Sequence, residues 1–354
     1  MNIRSVINNM LNILGSPPLD KVVHSIDERA WDPVIVQHVT EIRKVTEPVV
    51  VNYAFPDNYP LWMRRNHAFV QQHVYHLKNA SVDLSTGLVR IDKCFLQESA
   101  GHYRNLLNVP FRKRKVLTKA RYNSDACAYV IKPAPYYHFL LESLPRLLHA
   151  ASLYPVQPYM LENTLRYMDE CLAYLVDLNI VKPCIKKRFQ KIVFNDLILA
   201  QMHQYSGFVH PDDIALVRST FLKWGDSGIQ GPRRFFVSRR QGARLFDNQA
   251  VIEQELMRLG LEIVYLEDLP MPDQIRLFRD ADLIVANHGA GLANLIWSIQ
   301  KPRVIELFSP LHLNDCYARL SQDRAREYQF MIAMREHQSG WGIINMDQLV
   351  SIVR

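Results

Sequence analysis

Between residues 234 and 307 short apolar runs alternate with helical stretches, and this order leaves the chain few ways to fold. The runs "RFFVSR" (234–239), "LEIVYL" (261–266), "DLIVAN" (282–287) and "RVIEL" (303–307) have the length and the β-branched and aromatic content of strands. The segments near 248–259, near 272–280 and from about 291 have helical spacing. Strands joined through helices lie parallel, and a parallel sheet needs helices over both faces. Residues 201–354 are therefore expected to form a Rossmann-like domain. Such sheets bind ligands beyond the carboxyl ends of their strands, so the residues that end each run are the first candidates for a site.

With 354 residues, 48% of them hydrophobic, the chain is too long for one core of usual size, and we expect two domains, 1–200 and 201–354. From about 45 to 130 short apolar runs between polar breaks suggest strands. After Pro133 and Pro135, "YYHFLLESLPRLLHA" reads as a helix. Tyr137, Leu140, Leu141, Leu144 and Leu148 lie on one stripe, His138, Glu142, Arg146 and His149 on the other, and Pro145 should kink or end it. Residues 160–180 look helical, "KIVFNDLIL" looks like a strand, and "HPDDIALVRSTFLKW" looks like a helix capped by His210 to Asp212.

Cys94, Cys127, Cys171, Cys184 and Cys316 are widely spaced without a C-x-x-C pair, which argues against a disulfide framework or a zinc site and fits a reducing compartment. No apolar run of about 18 residues could span a bilayer, and the N-terminus lacks the core of a signal peptide. Ile3, Val6, Ile7, Met10, Leu11 and Leu14 instead form a helical stripe suited to docking on protein or, as the alternative, on a membrane surface. The net charge of +7 is local. Arg104, Arg112, Lys113, Arg114, Lys115, Lys119 and Arg121 have no acid among them, and Lys182 to Lys191 and Arg233 to Arg244 are further clusters. These lack interleaved stacking aromatics, which excludes nucleic acid as the expected partner.

Three strand ends carry candidate chemistry. In "ANHGAGLAN", Gly289 and Gly291 open the turn, the N–H groups of Gly291 to Ala293 would face an anion, and His288 would point into the crevice. The same letters would also serve a plain strand-to-helix turn, and Asn294 stands where the third glycine of a dinucleotide fingerprint would be. In "FFVSRRQGARLFDN", Arg239 and Arg240 follow the strand and Arg244 comes shortly after, a set suited to gripping a diphosphate or to surface ion pairs. A charge-assisted hydrogen bond of this kind contributes roughly 1.5–3 kcal/mol. Glu306, ending the last run, could accept from the hydroxyls of a ribose.

The motifs "YYHFLLESLPRLL", "GFVHPDD", "VSRR…R…N" and "ANHGAGLANLIW…VIEL", in this order, resemble glycosyltransferase family 61 (DUF563), including its bacterial capsular and surface-polysaccharide members. The resemblance is good from about 127 to 310. It implies an α/β GT-B architecture, two Rossmann-like domains facing across a cleft, and inverting transfer from a nucleotide sugar, with a UDP-sugar the expected donor and no essential metal or other cofactor. Arg239, Arg244, Asn248, His288, Gly289, Ala290, Gly291, Asn294 and Glu306 would form the donor site. His138 and Glu142 would supply the base and its orienter in either order, with Asp125 and His210 as weaker candidates and pairing of Glu142 with Arg146 as the alternative. The D-x-D at Asp280 and Asp282, the pattern of metal-dependent transferases, falls between a helix and a buried strand and reads as a capping feature.

The leading expectation is thus a cytoplasmic glycosyltransferase for surface polysaccharide or lipopolysaccharide. Its acceptor would be a glycan or a lipid-linked sugar, reached with peripheral contact at the inner face of the membrane. A nucleotide-sugar epimerase or hydrolase on the same fold, or a catalytically inactive sugar-nucleotide-binding scaffold, are the alternatives.

Overall fold

The computed structural model describes residues 23–24, 37–55, 66–83, 87–91, 94–96, 99, 119–122, 128–130, 135–160, 164–185, 191–201, 206–226, 231–240, 244–335 and 340–354. The N-terminal helical stripe, Asp125 and the basic residues 104–115 lie outside these. The chain divides into two compact units, one of residues 1–49 and 68–206, the other of residues 50–67 and 207–354. The division falls a few residues after the expected boundary at 200, and a short early stretch belongs with the second unit.

The first unit contains β1 (Val23–His24), β2 (Val39–Thr46), β5 (Gln72–Asp83), β6 (Leu88–Ile91), β7 (Cys94–Leu96), β8 (Lys119–Tyr122) and β9 (Ala128–Val130). Between β2 and β5, β3 (Val49–Asn52) and β4 (Asn66–Phe69) pair with each other. Helix α1 (Tyr136–His138), a π turn (Phe139–Ser143) and α2 (Leu144–Leu153) follow, then β10 (Pro158–Met160), α3 (Arg166–Asp177), β11 (Lys182–Ile185) and β12 (Lys191–Ala200). Sequence expectation and structure part here. The sheet, in the order β1-β7-β6-β5-β12-β9-β10-β11, is mixed rather than a parallel Rossmann sheet. Its centre is the long antiparallel pair β5–β12, with β2 and β6 also antiparallel to β5. Strands β8 and β9 run parallel to β12, and β10 and β11 continue parallel beyond β9. The reason is local: residues 84–87 and 92–93 are too few for the crossover that a parallel neighbour requires, so β5, β6 and β7 return as hairpins. The core between them comprises Tyr75, Leu77, Val82, Val89, Ile192, Phe194 and Leu197.

The second unit contains α4 (Pro211–Phe221), β13 (Arg234–Val237), α5 (Gln249–Arg258), β14 (Glu262–Val264), α6 (Met271–Arg279), β15 (Leu283–Asn287), a 3₁₀ segment (Ala290–Trp297), β16 (Arg303–Phe308), α7 (Cys316–Ser321), β17 (Glu327–Ile332) and α8 (Met346–Val353). His210 caps α4 by accepting the Asp212 N–H. All pairs in its sheet are parallel, in the order β14-β13-β15-β16-β17. Every residue of β15 is buried, as a strand covered on both faces requires. Phe236, Ile252, Leu256, Val285, Ile305, Leu307 and Leu349 fill one side, while on the other Phe235 meets Phe278 edge-to-face at 5.4 Å. Because β13 comes first in the chain yet lies between β14 and β15, the strand order reverses between β13 and β15, and the crevice opens beyond their carboxyl ends.

Candidate active site

The crevice holds the residues that follow β13 and β15. Half-buried Arg239 lies beside Gly289, its Nη2 donating to the His288 carbonyl at 3.5 Å. Burial, and then the charge of Arg244, pull the Arg239 pKa below the usual guanidinium value. Among the described residues neither Arg239 nor Arg244 has an acidic hydrogen-bond partner, so two mutually repelling cations stand together beyond the carboxyl end of a parallel strand. Arg240 differs from them. It bonds Asp268 through Nε at 3.1 Å and Nη2 at 2.5 Å and lies over the Tyr265 ring at 4.1 Å, so the pair of guanidiniums without an acidic hydrogen-bond partner is Arg239 with Arg244, not Arg239 with Arg240.

His288 is buried and oriented from behind. Its Nδ1–H donates to Glu306 Oε1 at 2.5 Å, and the Tyr328 hydroxyl donates to Oε2 of the same carboxylate at 2.5 Å. A carboxylate acceptor at Nδ1 fixes the ring's orientation and leaves Nε2 for a ligand. The ring stacks on Phe308 at 4.8 Å, with His312 at 5.1 Å and Tyr317 at 5.2 Å. Glu306, at 0% exposure, therefore stands behind His288 with both oxygens engaged, and a ribose contact gives way to a positioning role. Tyr328, His312 and Tyr317 were not singled out from the sequence. The carboxylate at a strand end was the signal for Tyr328, because a buried acid must find donors.

The two glycines answer different neighbours. A β-carbon on Gly289 would stand 1.7 Å from Arg239 Nη2, and one on Gly291 would meet Leu266 Cδ1 at 2.7 Å. Half-buried Ala290 opens a 3₁₀ segment rather than the expected α-helix, and the Leu292 N–H is spent on the Gly289 carbonyl at 3.0 Å. Asn294 causes part of this. Fully buried, it donates to Gly291 O and Gln274 Oε1, both at 3.1 Å, and accepts from Trp297 Nε1 at 2.9 Å, so its amide is structural and does not face a donor. Asn248 also serves the framework, joining the start of α5 to both backbone groups of Ile344, at 2.8 and 3.1 Å.

The D-x-D lies at the amino end of β15, opposite the crevice. Asp282 grips Arg233 with both oxygens at 2.7 Å, and Asp280 takes Arg279 at 2.9 Å. Both carboxylates are engaged in ion pairs. No group of three or more His, Cys, Asp or Glu placed to hold a metal occurs among the described residues.

The first unit carries a second cluster. His138 Nδ1–H donates to Glu142 Oε2 at 2.9 Å, and Ser206 Oγ donates to Glu142 Oε1 at 2.7 Å. The His138 side chain is 42% exposed and that of Glu142 10%, so the carboxylate is the anchor and the imidazole the group presented outward. The π turn Phe139–Ser143 between them explains why Pro145 does not end the helix: widening accommodates a ring that would strike the carbonyl of Leu141 in an α-helix. Arg146 donates to the carbonyls of Ala200 and Gln201, which ties the helix to the end of β12.

A buried carboxylate–histidine pair and two arginines without an acidic hydrogen-bond partner thus lie together at the switch point of a parallel sheet. Residues 136–305, just under half of the chain, match the family model described as Glycosyltransferase 61. The match supports membership of that family and, with it, glycosyl transfer between a nucleotide-sugar donor and an acceptor. No curated protein matches the chain.

Proposed function

We propose that this protein is an inverting, metal-independent glycosyltransferase of GT-B type. The observation that carries the reading is the pair Arg239 and Arg244, neither with an acidic hydrogen-bond partner among the described residues, set beside the Glu306-backed His288. In the proposed donor site the two guanidiniums hold the diphosphate of a nucleotide sugar. His288 turns its Nε2 to a phosphoryl oxygen, and charge developing on the leaving group is neutralised by the guanidiniums without a divalent ion. His138 is the base: with Nδ1–H held by Glu142, its Nε2 lone pair takes the acceptor hydroxyl proton as that oxygen attacks the anomeric carbon. The carboxylate stabilises the imidazolium that forms.

Calorimetric titration with UDP, GDP and CMP in EDTA, on wild type and Arg239→Ala, tests the donor half. One nucleotide binding without metal and lost in the variant supports it; no binding by any of them leaves an inactive scaffold. The acceptor is proposed to be lipid-linked, in surface polysaccharide synthesis at the cytoplasmic face of a membrane, with the acid-free basic residues 104–121 drawing the chain to anionic lipid. Charge reversal at Arg112 to Lys115 that leaves partitioning onto anionic vesicles unchanged would remove that part of the proposal. No helix among the described residues is long and apolar enough to cross a membrane.

A further inference from the structure

Strands β13 and β15 are laddered as far as Val237 and Ala286, and one residue further the pairing passes to side chains. Gln249 Nε2 donates to Ser238 Oγ at 2.8 Å, and Gln249 Oε1 accepts from Asn287 Nδ2 at 2.9 Å. Ser238 directly precedes Arg239, and Asn287 directly precedes His288. We propose that Gln249 is a positioning residue, a side-chain rung that fixes the placement of Arg239 relative to His288. Its bearing on transfer rests on the donor-site reading of those two residues.

Ser238 and Asn287 are both buried, and Gln249 opens α5, which Ile252 and Leu256 anchor in the core, so the rung has a rigid base. Among the described residues the Asn287 amide has no other hydrogen-bond partner, since its Oδ1 is closed off from solvent without one. The orientation of that amide, one residue before His288, therefore depends on Gln249. Ser238 is held from a second side as well. It donates to Glu253 Oε1 at 2.5 Å, and Glu253, one helical turn beyond Gln249, also accepts from Gln249 Nε2 at 3.4 Å and from the Tyr265 hydroxyl at 3.3 Å. Both polar atoms of the Gln249 side chain are thus engaged. A carboxylate in its place would donate nothing and would stand beside Glu253 as a like charge. Misplacing a reacting group by about 1 Å can cost on the order of 10²-fold, so partial loosening of this rung should cost about tenfold.

The test titrates the full chain with UDP, GDP and CMP by calorimetry, below every melting midpoint. Wild type, Gln249→Ala, Gln249→Glu and Gln249→Glu combined with Glu253→Gln are compared. The nucleotide that binds wild type is expected to bind each single variant about tenfold more weakly. The combined variant exchanges amide and carboxylate within one network and should return to within about threefold of wild type. Unchanged affinity in folded Gln249→Ala, with only the melting midpoint lowered, would show a purely structural role and overturn the proposal. So would a combined variant that binds no better than Gln249→Glu. A second measurement needs no nucleotide. The ring N–H resonance of His288 in its bond to Glu306, identified by its loss in His288→Gln, should move in both single variants and return in the combined one. If wild type binds none of the three nucleotides, the donor-site reading falls while the resonance still decides: a wild-type position in both single variants overturns the proposal. Should neither Gln249 variant fold, Ser238→Ala, which removes one end of the rung, takes their place under the same criteria.

Discussion

The Nη2 atom of Arg239 fills the space that a β-carbon on Gly289 would need, 1.7 Å from where that carbon would stand. The Gly289 backbone is extended, a conformation open to any residue, so the constraint is one of room. The displaced atom would be the far end of a flexible side chain. Gly289→Ala is therefore expected to melt within a few degrees of wild type while losing about tenfold or more in nucleotide affinity. Gly291→Ala, which meets Leu266 in the core, is expected to show the reverse: a stability loss of about 1–3 kcal/mol with affinity retained. Melting curves and calorimetry on both variants check the contrast, and a melt-only defect at Gly289 would refute it.

Glu306 receives two donors and has no exposure, so Glu306→Gln turns an amide N–H₂ towards one of them. We expect a destabilisation of about 1–3 kcal/mol and a fall in kcat of about 10–100-fold. Tyr328→Phe leaves the His288 pair in place and should cost about 1 kcal/mol with a smaller effect on kcat. Normal turnover by Glu306→Gln would separate the pair from function.

His138→Ala should reduce transfer by about 10²–10⁴-fold with nucleotide affinity unchanged, because the proposed mechanism has the imidazole act on the acceptor. Glu142→Gln, which still accepts through its carbonyl but no longer stabilises the imidazolium, should lose less. Steady-state kinetics with the cognate acceptor decides. Equal loss of nucleotide binding in His138→Ala would contradict the assignment.

His312 supplies a pH signature. Burial first, then His288 and Arg244, hold its pKa below the ordinary 6.5. Its contribution to stability is present above 6.5 and is lost as pH falls through the depressed value, because the unfolded chain then binds the proton more readily. A diphosphate beside Arg244 would offset the repulsion and raise the pKa again. Nucleotide binding at about pH 6 should therefore take up protons. Calorimetry in buffers of different ionisation enthalpy reads the uptake. The His312→Gln variant should take up fewer protons, and an uptake equal to that of wild type would exclude His312 as its source.

The parallel sheet of the second unit was legible because each strand is an unbroken apolar run and each connection is long enough for a helix. The place of His288 and Arg239 at the carboxyl edge of that sheet was legible for the same reason, since they end two of those runs. The role of Glu306 was not. An acid ending an apolar run looks the same whether it meets solvent or a buried imidazole, and its partners His288 and Tyr328 stand 18 and 22 residues away in the chain. Asn294 misled for a related reason, because a short polar residue among glycines suits a phosphate turn as well as a buried bridge to Gln274 and Trp297. In the first unit alternating apolar runs read as strands, but their direction depended on two short turns that apolar periodicity does not register.

Residues 50–67 have a consequence for how such a protein can be divided or recombined. The Ala54 N–H bonds Gln322 Oε1 at 3.1 Å, His67 stacks on Phe208 at 4.1 Å, and Phe55, like Tyr328 and Phe330, packs against Ala318. The polypeptide thus contributes to the second unit, returns to the first, and enters the second again at Gly207. A single genetic crossover cannot exchange the second unit intact. Exchange between related genes would need a pair of matched breakpoints far upstream as well as one near 207, so donor preference should diverge in this architecture by point substitution at the crevice rather than by domain shuffling.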